Sequence, residues 1–150
     1  MISQLVKSGD ILIHQEFTIT RITDDRGTLD FLDLDDGFPF IPKRFFTLKP
    51  SSEGQSRGNH AHKKCHQFLV VVVGRCTLEI KNKSNKIEIN LEAGHRGVWV
   101  KPMNWVTLSN FSDDCCILVL ASDSFDPSDY INNFEELETD LMIERSKSEQ

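Results

Sequence analysis

Apolar and polar positions alternate in short runs over the first four fifths of the chain, and the runs break at Gly, Pro, Asp and Asn. Residues 18–22 and 29–32 flank the turn Asp24-Asp25-Arg26-Gly27, and residues 44–48 follow Pro39 and Pro42; each run reads as a strand. Residues 67–73 are continuously apolar after Gln67, mostly β-branched, and end at Gly74, the pattern of a strand buried on both faces. Residues 77–80 and 86–91 alternate around Asn82-Lys83-Ser84-Asn85 and predict a hairpin with one wet face. With 98–100, 106–108 and 116–121 they complete about ten short strands at sandwich or barrel spacing, an all-β class. Beyond Pro127-Ser128-Asp129 the period changes. Tyr130, Ile131, Phe134, Leu137 and Leu141 recur at helical spacing, and Ser128 or Asp129 can cap the free amides, so one short C-terminal helix is expected. Residues 144–150 lack an apolar anchor and are expected to fray, leaving a single domain over 1–143.

Composition supports one folded unit: 150 residues, 39% hydrophobic, with 10 Phe. The net charge of −6 argues against a nucleic-acid polymer or a membrane surface as partner, since both call for a dominant basic face. The charge is uneven, however. Residues 1–42 carry −5, residues 43–64 carry +5, residues 65–122 carry +1 and residues 123–150 carry −7. The basic stretch also holds His60 and His62, so an anionic ligand is expected there. No signal-peptide core or membrane-length apolar run is visible, and a cytoplasmic location is expected. Cys65, Cys76, Cys115 and Cys116 include no CxxC pair and read as reduced thiols.

On an extended strand His60 and His62 point to one face while Ala61 points away, so two imidazoles share a pocket. Paired neutral histidines suit proton transfer, one ring taking a proton from carbon while another polar group manages the proton on oxygen. A nearby arginine would lower such a histidine's pKa and stabilise a developing enolate. Arg57 is the leading candidate, and a surface arginine without that role is the competing reading.

The spacing of Gly54, His60, His62, Gln67 and Gly74 resembles the first motif of the cupins, in which two histidines and a Glu help to hold a metal inside a jelly-roll barrel. Here Gln67 stands in place of the Glu, and Thr107, five residues after Pro102, stands where the second motif has its His. Two neutral imidazoles and an amide oxygen fall short of an ordinary metal ligand set, so neither a metal nor a cofactor is expected. Arg57-Gly58-Asn59-His60-Ala61-His62-Lys63 looks like the most diagnostic element of the dTDP-sugar 3,4-ketoisomerases, small cupins of the WxcM-like group. The likeness extends through Asp25–Leu29, Pro39–Arg44, Val119–Ser122 and Asp129–Ile131, and covers roughly residues 10–137. It implies a cupin jelly-roll barrel and a homodimer with exchanged N-terminal strands. It also implies an isomerase that turns dTDP-4-keto-6-deoxyglucose into a 3-keto sugar, for 3-amino-3,6-dideoxyhexoses of bacterial surface polysaccharide.

Given that resemblance, His60, His62 and Arg57 are the expected catalytic residues, with the first carbon deprotonation assigned to His62 and proton relay to His60. Arg57 and Gln67 would hold the oxygens that become enolic. Guanidinium groups meet diphosphate oxygens in a fork, which assigns Arg44 and Arg26 to the nucleotide with Lys43 as a supporting charge. Trp105 stacks on thymine or sugar in one reading and fills the core in the other. One departure stands out: family members commonly carry a tyrosine around Phe45-Phe46, the sole tyrosine here is Tyr130, and no phenol is expected beside the histidines. A non-catalytic cupin that binds nucleotide sugars and a metal-dependent cupin enzyme are the competing functions.

Overall fold

The computed structural model describes residues 13–51, 54–137 and 146–149. Twelve strands follow in chain order: β1 (His14–Thr18), β2 (Thr20–Asp24), β3 (Gly27–Phe31), β4 (Arg44–Leu48), β5 (Arg57–His62), β6 (Gln67–Val73), β7 (Arg75–Lys81), β8 (Lys86–Glu92), β9 (Arg96–Val100), β10 (Trp105–Ser109), β11 (Cys116–Ala121) and β12 (Tyr130–Ile131). Two five-stranded antiparallel sheets, ordered β1-β9-β6-β11-β4 and β12-β5-β10-β7-β8, form the sandwich, and β2-β3 stands apart as a hairpin. The all-β cupin-like architecture agrees with the pattern of the sequence.

The alternating runs explain the layers. Leu69 and Val71 of β6, Val98 and Val100 of β9 and Ile117 and Val119 of β11 share one core with Leu78 and Ile80 of β7, Ile89 and Leu91 of β8, and Val106 and Leu108 of β10. At about 25 cal/mol per Å² of apolar surface removed from water, this contact is the main force holding the sheets together. On the outer side of β6, Phe68 packs against Phe17 and Phe38 and lies over Gly97, where a Cβ would collide with its ring. A bare backbone is needed at that close approach.

Three expectations change. The run 18–22 is not one strand: Ile19 is buried and its amide bonds His95 O at 3.1 Å, which separates β1 from β2. The central strand β6 is covered on both faces only along its first part, because Val72 and Val73 reach solvent. The C-terminal segment does not begin as a helix. Pro127–Asp129 is a 3₁₀ turn capped by Asp126, not by Ser128 or Asp129, and Tyr130–Ile131 pairs with β5 as β12. Residues 134–137 are helical, with the Glu135 amide held by Asn133 Oδ1 at 2.9 Å. Leu137 and Ile131 pack with Ala61 and Trp105 in a second, smaller core. Leu141 and the expected domain boundary at 143 lie outside the described residues.

Candidate active site

Strand β5 carries the Arg-Gly-Asn-His-Ala-His element, and its register explains the spacing. Leu108 faces Arg57, Thr107 faces Gly58 and Val106 faces His60, so Asn59 is an extra residue, a β-bulge. Gly58 and Asn59 both have positive φ, 84° and 57°, and a Cβ on Gly58 would stand 2.8 Å from Val106 O. Strict alternation would put residues three apart on opposite faces. The bulge brings Arg57 and His60 to the same cavity, which both line. His60 and His62 lie together as expected, ring centroids 5.0 Å apart, while Ala61 packs away from them against Trp105 and Ile131.

Each imidazole has its Nδ1 engaged. His60 Nδ1 lies 3.0 Å from Gly58 O, a pure acceptor, and His62 Nδ1 lies 3.0 Å from Asp129 Oδ2. In both rings Nδ1 therefore carries the proton and Nε2 is left as a bare lone pair. Asp129 is 5% exposed and also accepts from the amides of Lys64 at 2.8 Å and Cys65 at 3.3 Å, which fixes the carboxylate. Nε2 of His62 is buried and has no hydrogen-bond partner. An unpaired buried acceptor costs about 1–3 kcal/mol, a cost the fold bears at this one side-chain atom among the described residues.

The cavity has a volume of about 390 Å³. Phe46, Leu48, Leu69 and Leu108 make its apolar floor; Arg57, His60, Gln67 and Tyr130 supply polar groups. Tyr130 is the unexpected member. Pairing of β12 with β5 sets Tyr130 opposite His62, and its ring centroid lies 4.4 Å from that of His62 and 5.1 Å from that of His60. The expectation of no phenol near the histidines is thus wrong. Arg44 alternates with Phe46 and Leu48 on the inward face of β4, its guanidinium 5.4 Å from the Phe46 ring and 5.7 Å from the exposed Phe125 ring. Lys43, one residue earlier, is exposed and ties its amide to Ala121 O at 2.9 Å.

Of the expected site residues, Arg57, His60 and Gln67 line the cavity, while His62, Lys43, Arg44, Trp105 and Arg26 do not. Trp105 is buried edge-on to Phe134 and does not line the cavity, because β10 turns Val106 inward and Trp105 outward; it belongs to the core. Arg26 sits at the exposed tip of the β2-β3 hairpin, paired with Asp24.

Burial pushes both histidines below their ordinary pKa. For His60 the Gly58 carbonyl opposes the effect; for His62 the Asp129 carboxylate opposes it, while His60 and Arg44 add to it. Arg44, rather than Arg57, is the arginine whose charge reaches His62. The unfolded chain binds more protons wherever pH lies between the folded pKa and 6.5, so these groups withdraw stability as pH falls below 6.5. At neutral pH both rings are bases. His62, Cys65 and Asp129 have donor atoms within 4.8 Å of one another. Those atoms already bond each other, backbone amides and His66 O, so the trio reads as a scaffold for the imidazole.

Comparison with known proteins agrees with this geometry. The family model described as FdtA, WxcM-like, C-terminal, matches residues 14–141. The chain belongs to the FdtA, WxcM-like family. The TDP-4-oxo-6-deoxy-α-D-glucose-3,4-oxoisomerase of Aneurinibacillus thermoaerophilus is 36% identical over 115 residues, 77% of this WxcM-like chain and 83% of that protein. A mutant of the 3,4-ketoisomerase QdtA from Thermoanaerobacterium thermosaccharolyticum, in complex with TDP-4-keto-6-deoxyglucose, superposes with a TM-score of 0.80 at 27% identity, covering 87% of this chain and 95% of its own. The TDP-quinovose 3,4-ketoisomerase WlaRB of Campylobacter jejuni gives 0.77 at 31% identity, covering 86% and 99%.

Proposed function

We propose that this WxcM-like protein is a sugar-nucleotide 3,4-ketoisomerase that converts dTDP-4-keto-6-deoxy-D-glucose to a dTDP-3-keto-6-deoxyhexose through an enediol. The observation that carries the reading is the imidazole pair, His60 and His62, each with Nδ1 committed to an acceptor and Nε2 free to take a proton. Moving a carbonyl by one carbon needs proton transfers alone, which is the chemistry two neutral, burial-tuned imidazoles supply. The proton taken from C3 and returned at C4 is assigned to this pair, with His60 on the cavity wall and His62 buried beside it, ring centroids 5.0 Å apart. Arg57 and Gln67, both on the cavity wall, hold the oxygens on which enolate charge develops. Arg44 meets the diphosphate, with Lys43 contributing charge. A 3-keto sugar is the direct acceptor for an aminotransferase, so the product leads to a 3-amino-3,6-dideoxyhexose for surface polysaccharide. None of the helices among the described residues is long and apolar enough to cross a membrane, and we propose a cytoplasmic location.

Incubation with dTDP-4-keto-6-deoxy-D-glucose in D₂O is expected to put deuterium into the sugar ring and to yield a 3-keto product, both read by NMR. Binding of dTDP with neither outcome would leave a non-catalytic nucleotide-sugar cupin instead.

We also propose a homodimer with exchanged N-terminal strands. The β2-β3 hairpin is exposed along its whole length and leaves Ile22, Leu29 and Phe31 open to solvent, more apolar surface than an isolated hairpin is expected to leave in water. A second copy covering it brings Arg26 toward the partner's diphosphate. Sedimentation equilibrium is expected to give a dimer mass, and Leu29→Asp a monomer; a monomeric wild type overturns the arrangement.

A further inference from the structure

We propose that Tyr130 is a catalytic residue, the group that carries the proton between the two substrate oxygens; the inference rests on the ketoisomerase reading. The reaction moves two protons, not one. Hydrogen shifts from C3 to C4, and a second proton shifts from O3 to O4. The imidazoles are limited to one working nitrogen each, since the Nδ1 protons of His60 and His62 are held by Gly58 O and Asp129 Oδ2. The pair serves the carbon centres, His60 from the cavity wall and His62 from its buried place beside it. Among the other polar groups on the cavity wall, the amides of Gln67 and Asn59 do not exchange a proton near neutrality, and Arg57 does not lose one. Ser56 accepts a hydrogen bond from the Asn59 amide at 3.1 Å, and its aliphatic hydroxyl is a far weaker acid than a phenol. A phenol both gives and accepts a proton, and Tyr130 lines the same cavity with its ring against both imidazoles.

The step balances. The C3–H bond breaks toward the imidazole pair, its electrons form C3=C4, and the C4 carbonyl oxygen takes the Tyr130 proton to become a hydroxyl. The phenolate then takes the proton from O3 as C3=O3 forms, and C4 takes back the proton held by the imidazole pair. Enzyme and protonation state return to the start, and neither oxidant nor reductant is consumed.

Because Tyr130 is the sole tyrosine of the chain, biosynthetic replacement of tyrosine by fluorotyrosines alters this residue alone. Tyr130→Phe is expected to lower kcat by about 10²–10³-fold with KM and dTDP affinity within about threefold, the span of one general acid–base group. Fluorotyrosine enzymes are expected to keep the fold and to move the basic limb of the kcat profile downward in step with the phenol pKa, which a structural role would not do. Wild-type kcat in Tyr130→Phe, or a basic limb that ignores fluorination, overturns the proposal while leaving the isomerase reading intact. A wild-type enzyme that forms no 3-keto product overturns both.

Discussion

Replacing His62 by Asn is expected to lower turnover of dTDP-4-keto-6-deoxy-D-glucose by about 10³-fold or more while dTDP still binds within about threefold of wild type. The argument starts from the ring's surroundings. His62 is 6% exposed, anchored through Nδ1 and left with a buried Nε2 lone pair that finds no partner. Asparagine keeps a donor for Asp129 at modest volume but has no group that takes up a proton near neutral pH, so the imidazole pair is broken. The nucleotide contacts assigned to Arg44 lie outside the ring and persist. Steady-state kinetics with isothermal titration of dTDP separate the two effects. A variant that turns over normally removes His62 from the chemistry, and one that loses dTDP affinity makes it a binding group.

Asp129→Asn is the second large effect. The wild-type carboxylate accepts from His62 Nδ1 and from the Lys64 and Cys65 amides. An asparagine side chain presents one oxygen and one NH₂ group. The Lys64 amide makes the shorter bond, to Oδ1, and keeps the asparagine oxygen there; the NH₂ then stands at the Oδ2 position, where it loses the Cys65 amide, donates to Nδ1 and forces the imidazole proton onto Nε2, the wrong tautomer for a base. A loss of about 10²–10⁴-fold in kcat is expected. The pH profile carries an independent signature. Asp129 raises the His62 pKa through its hydrogen bond and its charge, against the larger effect of burial. Its removal lowers that pKa further, so the acidic limb, expected below 6.5 in the wild type, moves to still lower pH. A variant whose acidic limb rises or stays fixed contradicts the pairing, whatever its rate.

Much of the frame was legible from alternation alone. Strands β4, β6 and β11 begin and end where the runs 44–48, 67–73 and 116–121 do, because turn residues bound them. The paired face of His60 and His62 followed from strand parity. Arg57 did not: an odd offset from His60 points the wrong way until the Gly58-Asn59 bulge adds a residue, and positive φ at an Asn leaves only a weak mark in sequence. Asp129 looked like a helix cap and Tyr130 like one apolar position of a helix. Their partner lies 67 residues away from Asp129, and only the pairing of β12 with β5 brings them to it. The Asp-Tyr-Ile run after a Pro-containing turn was the available signal. Trp105 went to the core because β10 turns its neighbour Val106 inward.

The missing tyrosine at Phe45-Phe46 motivated a purely binding role for the protein. With Tyr130 against both imidazoles, a phenol is available from a different element, and that motive falls away. Phe46 instead contributes apolar surface to the cavity and a ring for the Arg44 guanidinium.

The Asp129 fastening also couples catalytic competence to local opening of the chain. Its carboxylate holds the Lys64 and Cys65 amides, its carbonyl holds the Lys63 amide at 2.8 Å, and the same residue sets the tautomer of His62. Whenever the segment around β12 detaches, all of these are released together, while the main core of facing sheets does not depend on them. The fraction of molecules able to turn over is then the fraction with this clasp closed, and apparent activity scales with that fraction. Hydrogen exchange at the amides of residues 63–65 becomes a direct gauge of the active population in a preparation, obtainable without any substrate.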